Sequence, residues 1–134
     1  YIFLDELKYL AAGGRMSKTG AFFGDMLSMK PVISPTAEGA QKVGIVRNAE
    51  AQIRFAVDSL KKDLGETPNA LVMLEYSDNR KWVESNVLPR LKTHFPSADI
   101  ILQPLSLTSG VHIGPGAWAV AYMIGNQERK DLNA

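Results

Sequence analysis

The sequence contains no cysteine and only two histidines among its 134 residues. The absence of cysteine excludes disulfide bonds, thiolate nucleophiles and cysteine-based metal sites, and two isolated histidines do not make a zinc site alone. Charges of both signs are balanced, with a formal net charge of +1 at pH 7. Because this balance produces no strong field, we expect neither nucleic acid nor an anionic membrane as a partner.

Long hydrophobic runs are also absent, since none approaches the roughly 18 residues that a membrane-spanning helix requires. Hydrophobic residues make up 46% of the chain and charged residues 22%, as in an average soluble domain. The length predicts a single domain over residues 1–134. No signal peptide is visible, which favours a cytoplasmic location. The chain opens at Tyr1 on an apolar periodic segment, so we expect it to be a piece of a longer protein.

Common catalytic motifs are missing. The sequence has no Gly-x-Ser-x-Gly elbow and no Gly-x-x-x-x-Gly-Lys-Ser/Thr phosphate loop. Asp25, Asp78 and Asp99 show no coupling to His112 in the sequence. We therefore expect no catalytic residue, no metal and no cofactor, and catalysis by this chain alone is disfavoured.

Apolar spacing in the first half predicts helices and a hairpin. Residues 3–11 carry apolar side chains at helical spacing and are followed by two glycines, and residues 20–29 predict a second helix that ends before Pro31. Residues 31–35 and 41–47 predict a strand hairpin around a turn at 36–39. Asn48 and Gly65 are the expected N-cap and C-terminal residue of the next helix.

The second half predicts three strands and one helix. The strands are expected at residues 70–76, in the middle of the sheet, at 98–105 and at 117–124. A helix over residues 80–95 would be capped by a polar residue among 77–79 and kinked by Pro89, with His94 on its surface. This order predicts an α/β fold, with a mixed sheet of about five strands flanked by helices.

The loop at residues 109–116 is the most probable ligand contact in the sequence. His112 stands among glycines, and imidazole together with main-chain N–H groups would suit a carboxylate or a phosphate. Alternatively, His112 donates to a nearby carbonyl while Gly114 and Gly116 form a plain turn; the residues leave both readings open. Arg15, beside Gly13 and Gly14, is either a second anion contact or a solvated side chain.

Four segments in order resemble motifs of the DegV family. They are Leu-Lys-Tyr-Leu-Ala-Ala-Gly-Gly-Arg-Met-Ser-Lys at 7–18, Lys-Pro-Val-Ile at 30–33, Val-Arg at 46–47 and His-Ile-Gly-Pro-Gly-Ala at 112–117. The resemblance implies a two-domain α/β protein that holds a long-chain fatty acid between its domains. Some family members are the acyl-carrying subunit of bacterial fatty acid kinase. Only the second, C-terminal domain is matched, so the N-terminal domain is absent from this chain.

The resemblance also implies roles for individual residues. His112 would contact the fatty-acid carboxylate beside Gly14, Gly114 and Gly116, and Arg15 would lie near the head-group opening, on the ligand or on the kinase partner. The Ser and Thr motifs that complete the head-group site belong to the first domain. A further apolar group lines the acyl tail or forms ordinary core: Phe22, Phe23, Met26 and Leu27.

The leading hypothesis is therefore a fatty-acid-binding module, not itself an enzyme, that helps present a carboxylate to an ATP-dependent kinase. One alternative is a small hydrolase or transferase with His112 as its base. The other is an interaction domain fused to a dihydroxyacetone-kinase-like protein, with a degenerate lipid site.

Overall fold

The computed structural model describes residues 1–6, 29–106 and 113–125. Six strands and three helices lie in these ranges. In chain order they are β1 (Ile2–Phe3), β2 (Lys30–Thr36), β3 (Gly39–Val46), α1 (Ala49–Leu64), β4 (Ala70–Tyr76), α2 (Arg80–Asn86), α3 (Leu88–His94), β5 (Asp99–Pro104) and β6 (Trp118–Ile124). The first predicted helix, at residues 3–11, lies outside the described residues from residue 7 onward, and the second, at residues 20–29, lies outside them except for Met29.

All six strands form one mixed sheet in the order β3-β2-β1-β6-β4-β5. Only β4 and β5 are parallel, and the other neighbours are antiparallel. The predicted α/β class and mixed sheet are confirmed. The sheet has six strands instead of about five, because Ile2 and Phe3 pair with both β2 and β6. The prediction that Phe3 begins a helix is wrong, since tertiary pairing outweighs the spacing of Phe3 from later apolar residues.

The hairpin and the first described helix follow their local signals. β2 and β3 pair antiparallel, and Gly39 turns the chain at a φ of 119°. Asn48 caps α1 by accepting from the N–H of Ala51 at 2.8 Å, which satisfies one of the free donors at the helix start. Gly65 follows the helix at a φ of 54°, with its N–H donating to Lys61. These predictions are confirmed.

The helix predicted around Pro89 is divided in two. α2 ends at Asn86 and α3 begins at Leu88, with Pro89 in the first turn of α3. A proline is tolerated there because the N–H groups of a first turn have no partner within the helix. Pro89 therefore lies just after a break between two helices, whereas the sequence predicted a kink within one helix.

One face of the sheet packs against the three helices. Phe3 stacks on Trp118 with ring centroids 4.1 Å apart. Successive strand residues point to opposite faces, so Trp118 and Val120 enter this core while Ala117 and Ala119 face the other way. The buried members of the core are Phe3, Val32, Ile53, Ala56, Val57, Leu60, Leu64, Ala70, Val72, Leu74, Val83, Val87, Leu91, Trp118 and Val120.

A smaller apolar cluster lies on the opposite face. It consists of Leu4, Ile33, Ile113 and Ala117, each at most 4% exposed. Since Leu4 follows β1 and Ala117 precedes β6, this cluster sits where the two central strands meet the loop that contains Ile113. The cluster thereby fixes one end of the predicted ligand loop to the sheet.

Gln52 is a buried polar side chain in α1 and is only 4% exposed. Its amide Nε2 donates to the carbonyl of Leu4 at 3.1 Å, and its Oε1 accepts from the indole Nε1 of Trp118 at 3.3 Å. Buried polar groups of this kind are costly unless they are paired. Gln52 satisfies two such groups at once and ties α1 to both central strands.

Replacing Gln52 with alanine should therefore destabilise the fold. The change leaves the Leu4 carbonyl and the Trp118 indole without this partner, and an unsatisfied buried group costs about 1–3 kcal/mol. Urea unfolding of Gln52→Ala should show a free energy of unfolding lower by at least about that amount. Asp58→Ala, on the exposed side of the same helix, is the matched control and should unfold near the wild-type midpoint. Equal stability of the two variants would contradict the bridging role.

Candidate functional site

The predicted site residues divide into two groups. Gly114 and Gly116 lie within the described residues. The other seven lie outside the described residues: Gly14, Arg15, Phe22, Phe23, Met26, Leu27 and His112. The described part of the site is therefore loop 113–117, which directly follows His112 in the sequence, and the residues that hold this loop.

Loop 113–117 needs glycine at two positions. Gly114 has a φ of 80° and Gly116 a φ of 76°, both in the left-handed region that L side chains rarely adopt. A Cβ on Gly116 would also stand 2.9 Å from the Cβ of Asp5. The loop thus combines a special backbone conformation with close approach to the segment after β1.

Segment 77–79 contacts the end of this loop from the other side. β4 and β6 are antiparallel with Tyr76 opposite Trp118, so the residues after β4 lie beside those before β6. The carbonyl of Ala117 accepts from the N–H of Ser77 at 3.2 Å and from its Oγ at 2.7 Å. Ser77 thereby extends the pairing of the two strands by one residue beyond the sheet.

Asp78 and Asn79 bind both polar main-chain groups of Gly116. The N–H of Gly116 donates to Oδ1 of Asp78 at 2.8 Å, and Nδ2 of Asn79 donates to the Gly116 carbonyl at 3.1 Å. The single proton of the Ser77 hydroxyl is shared between the Ala117 carbonyl and Oδ1 of Asp78, which lies 3.1 Å from Oγ. Three consecutive side chains therefore hold the carboxyl-terminal end of the loop.

The hydrogen bond to Asp78 limits the contacts that Gly116 can make with a ligand. The prediction of Gly116 as a ligand-binding residue relied on a free main-chain N–H, and that donor is engaged by Asp78. Gly116 contributes its left-handed conformation to the loop. A direct contact from Gly114 or Gly116 to a ligand stays a prediction.

The contact with Gly116 also affects the ionisation of Asp78. The pKa of Asp78 lies below its ordinary value of 3.8, chiefly because the Gly116 N–H donates to its carboxylate; the Ser77 hydroxyl acts in the same direction and desolvation opposes it. The carboxylate is therefore ionised at neutral pH, and its hydrogen bonds are charge-assisted.

An ion pair lies on the other side of Gly116. Nζ of Lys30 donates to the carboxylate of Asp5, whose Cβ limits the space beside Gly116. The side chains are 26% and 46% exposed, so the pair contributes at most about 1 kcal/mol to stability. Its consequence is mainly geometric, since it holds Asp5 between the start of β2 and the loop.

Sequence reasoning missed the part that segment 77–79 plays. It assigned these residues to capping the following helix, but Asn79, at the N-cap position of α2, makes no side-chain cap bond. The polar side chains bind loop 113–117 instead. Three polar residues directly after a buried strand were a usable signal, but only the pairing of β4 with β6 identifies what they contact.

Within the described ranges, no group of three or more His, Asp or Glu side chains could hold a metal ion. In the same ranges, no helix is long and apolar enough to cross a bilayer.

The structure is an α/β protein with a mixed sheet, and a glycine-rich loop leads into its strand β6. Comparison with known families identifies where the chain belongs. The family model described as "Uncharacterised protein, DegV family" matches residues 1–125. The chain belongs to the DegV family.

Three relatives illustrate the match. A DegV domain-containing protein of Streptococcus pyogenes serotype M3 is 29% identical over 130 residues, covering 96% of this chain and 44% of the relative. A fatty acid-binding protein of Thermotoga maritima is 27% identical over 128 residues, which cover 96% of this chain and 43% of the relative. The crystal structure of the Streptococcus pneumoniae fatty acid kinase B3 protein, loaded with linoleic acid, superposes with a TM-score of 0.74 at 22% identity. The superposition covers 92% of this chain and 43% of that protein. The chain thus spans less than half the length of these relatives.

Replacing Gly116 with alanine should destabilise the protein, in part through Asp5. The positive φ of Gly116 costs an L residue about 1–2 kcal/mol, and the new methyl group would also stand 2.9 Å from the Cβ of Asp5. Asp5→Gly removes that Cβ, so Gly116→Ala should cost less stability in the Asp5→Gly background than in the wild type. Urea unfolding measures the two losses, and equal losses would show that the contact with Asp5 costs nothing.

Acid should remove the stabilisation that Asp78 provides. Because folding lowers its pKa, Asp78 contributes stability in full above its ordinary value of 3.8, and this contribution is lost as pH falls through the lower folded-state value. Wild type should exceed Asp78→Asn in free energy of unfolding at neutral pH, and the difference should shrink by about pH 2. A difference that stays constant over this range in urea unfolding would contradict the assignment.

Proposed function

We propose that this chain is the C-terminal domain of a two-domain DegV protein that holds a long-chain fatty acid for phosphorylation by a partner kinase. The observation that carries the proposal is the joint occurrence of Gly13-Gly14-Arg15 and His112-Ile113-Gly114-Pro115-Gly116 in a member of this family. The Thermotoga maritima relative, named as a fatty acid-binding protein, supports the ligand class.

In this proposal His112 contacts the fatty-acid carboxylate. An imidazole can donate to a carboxylate, and a charge-assisted hydrogen bond is short and strong. The described neighbours support this role, because Ile113 is packed in the smaller apolar cluster and Gly116 is held by segment 77–79. A loop fixed at both of these points loses less entropy when a ligand binds.

The remaining predicted contacts complete the proposed site. Gly14 and Gly114 allow the main chain to approach the head group, and Arg15 lies at its opening, on the ligand or on the partner. The acyl tail would run along Phe22, Phe23, Met26 and Leu27, whose apolar and adaptable side chains suit an alkyl chain.

A first domain would supply the other side of the head-group site. The chain covers only 44% of the Streptococcus pyogenes relative, which leaves room for a second unit of similar size. Ile101 and Met123, on the sheet face opposite the helices, are 45% and 61% exposed, and such apolar surface suits contact with a further domain.

In this proposal the partner kinase, and not this protein, catalyses the phosphorylation of the fatty acid. The binding protein orients the carboxylate, and an ATP-dependent kinase supplies nucleotide, metal and phosphoryl transfer. The fatty acid kinase B3 protein, loaded with linoleic acid, shares this fold and supports a kinase partner. A cytoplasmic location is part of the proposal, because that partner consumes ATP.

The hydrolase or transferase alternative and the kinase-fused alternative are not favoured. The relatives reported above bear the names of DegV domain, fatty acid-binding and fatty acid kinase B proteins. These names agree with a binding subunit that is not itself an enzyme.

The complete gene product that contains this chain should copurify with fatty acid, and His112→Ala should weaken binding. Loss of a hydrogen bond to a charged group costs about 1.5–3 kcal/mol, or roughly a tenfold to hundredfold increase in Kd for oleate. Mass spectrometry of extracted lipid and titration with oleate measure the two effects.

His94→Ala is the matched control, since His94 is the other histidine of the chain and is exposed in the last turn of α3. This variant should bind oleate as the wild type does. A wild-type protein without lipid, together with unchanged behaviour of His112→Ala, would overturn the proposed function.

A further inference from the structure

β1 is a short strand that lies between two long ones. It has two residues, whereas its neighbours β2 and β6 have seven each. Both pairings of β1 are antiparallel, with Ile2 opposite Ile33 on one side and Ala119 on the other. Both neighbours therefore continue past the start of β1, β2 as far as Thr36 and β6 as far as Ile124. Because β1 alone separates them, the space between them is one strand wide.

The hydrogen bonds of β6 show which of its main-chain groups face this space. Val120 faces β1, because its N–H donates to the carbonyl of Tyr1 at 2.9 Å and its carbonyl accepts from the nitrogen of Tyr1 at 2.8 Å. Successive residues of an antiparallel strand direct their N–H and C=O groups to opposite neighbours. Tyr122 and Ile124 therefore also face the side of β1, while the residues between them face β4.

The edge of β2 that faces this space carries fewer donors. Pro31 accepts from the N–H of Leu4 at 3.4 Å, so by the same alternation Pro35 also faces the side of β1. Pro35 presents only a carbonyl, since proline has no N–H. Among the described residues, Pro35, Tyr122 and Ile124 have no strand partner on this side. Tyr122 and Ile124 are 37% and 48% exposed, although they lie in an inner strand.

The nitrogen of Tyr1 indicates which strand fits this space. It already lies in the ladder, 2.8 Å from the carbonyl of Val120, so a residue joined to it by a peptide bond enters the space directly. Burial lowers the pKa of the amino group at this nitrogen below its ordinary value of 8.0, while Asp63 and Glu75 act in the opposite direction. A neutral peptide N–H makes the same hydrogen bond without burying a charge. A tethered strand also pairs more readily than one from a separate chain.

We propose that the polypeptide preceding Tyr1 in the complete gene product continues β1 between β2 and β6, so that the first domain joins this domain through the middle of its sheet. The residue directly before Tyr1 lies opposite Pro35 and Ala121, and the residue before that exchanges two hydrogen bonds with Tyr122. Four residues, opposite 121–124, reach the end of β6. The inference rests on the part of the proposed function that places a first domain before this one.

This connection leads from the first domain to the candidate site. β1 is followed by Leu4, which packs with Ile113, and by Asp5, whose Cβ limits the space beside Gly116. The strand that carries the chain out of the first domain therefore ends against loop 113–117. Domains joined by a paired strand, and not by a flexible linker, hold the two sides of a shared head-group site in place, which reduces the entropy lost on binding.

Disulfide trapping in the complete gene product tests the register. Ala121 and the residue directly before Tyr1 form a pair without mutual hydrogen bonds, in which Cα atoms are about 4.5 Å apart and a disulfide can form. A cysteine at that preceding position should form an intramolecular disulfide with Ala121→Cys under mild oxidation. Met123→Cys is the matched control on the same face, because diagonal neighbours about 7–8 Å apart are not bridged. Peptide mass spectrometry identifies the bond.

Amide hydrogen exchange of the wild-type complete gene product is the second readout. The Tyr122 N–H should exchange within about tenfold of the Met123 N–H, which faces β4 opposite Leu71. This measurement needs no substitution, so it decides the question by itself if a cysteine variant does not fold.

The outcomes distinguish this inference from the proposed function. Exchange at Tyr122 as fast as at an exposed amide overturns the inference. So does a disulfide that forms equally well with Met123→Cys, or that forms only between two copies of the protein, because another register or another strand would then occupy the space. Protection of Tyr122 without the Ala121→Cys disulfide in a folded variant overturns it for the same reason. A product that shows the disulfide and the protection but binds no fatty acid overturns the proposed ligand alone.

Discussion

The paired amide of Gln52 is the constraint on which the arrangement around the loop depends. It joins α1 to the carbonyl of Leu4 and to the indole of Trp118, so one side chain holds the helix against the ends of two central strands. Phe3 stacks on the same indole. Because these groups are buried, their hydrogen bonds face no competition from water, and displacing either strand would leave a polar atom unpaired.

The position of loop 113–117 depends on the same two strand ends that Gln52 contacts. Asp5 follows Leu4, and loop 113–117 leads directly into Trp118, so the contact of Asp5 with Gly116 is set by the same two strand ends. On the far side, the register of β4 with β6 places segment 77–79 against Gly116 and Ala117. Gly116 is thus enclosed by two segments that are distant from it in sequence. A purely local turn would not require that enclosure, which is why the conformation of this glycine belongs to the tertiary structure.

The sequence predicted the elements whose signals are local. Asn48 and Gly65 mark α1 because capping is decided within a few residues, and the turn before Gly39 marks the hairpin for the same reason. β1 was missed because two residues carry no periodicity, and only partners from both neighbouring strands make Ile2 and Phe3 a strand. At the site, the glycines could be identified from sequence. Asp78 and Asn79 could not, since their partner lies beyond residue 113 and is reached only through the β4–β6 register.

The engagement of the Gly116 N–H also bears on how an anion would be recognised. A loop with free consecutive N–H groups can surround an anion with main-chain donors. Here the Gly116 N–H donates to the carboxylate of Asp78, so this donor is already used. The negative charge of Asp78 would repel a second carboxylate beside Gly116. An anion at this loop would therefore need donors other than the Gly116 N–H. The proposed function assigns these donors to His112, to Arg15 and to side chains of a first domain.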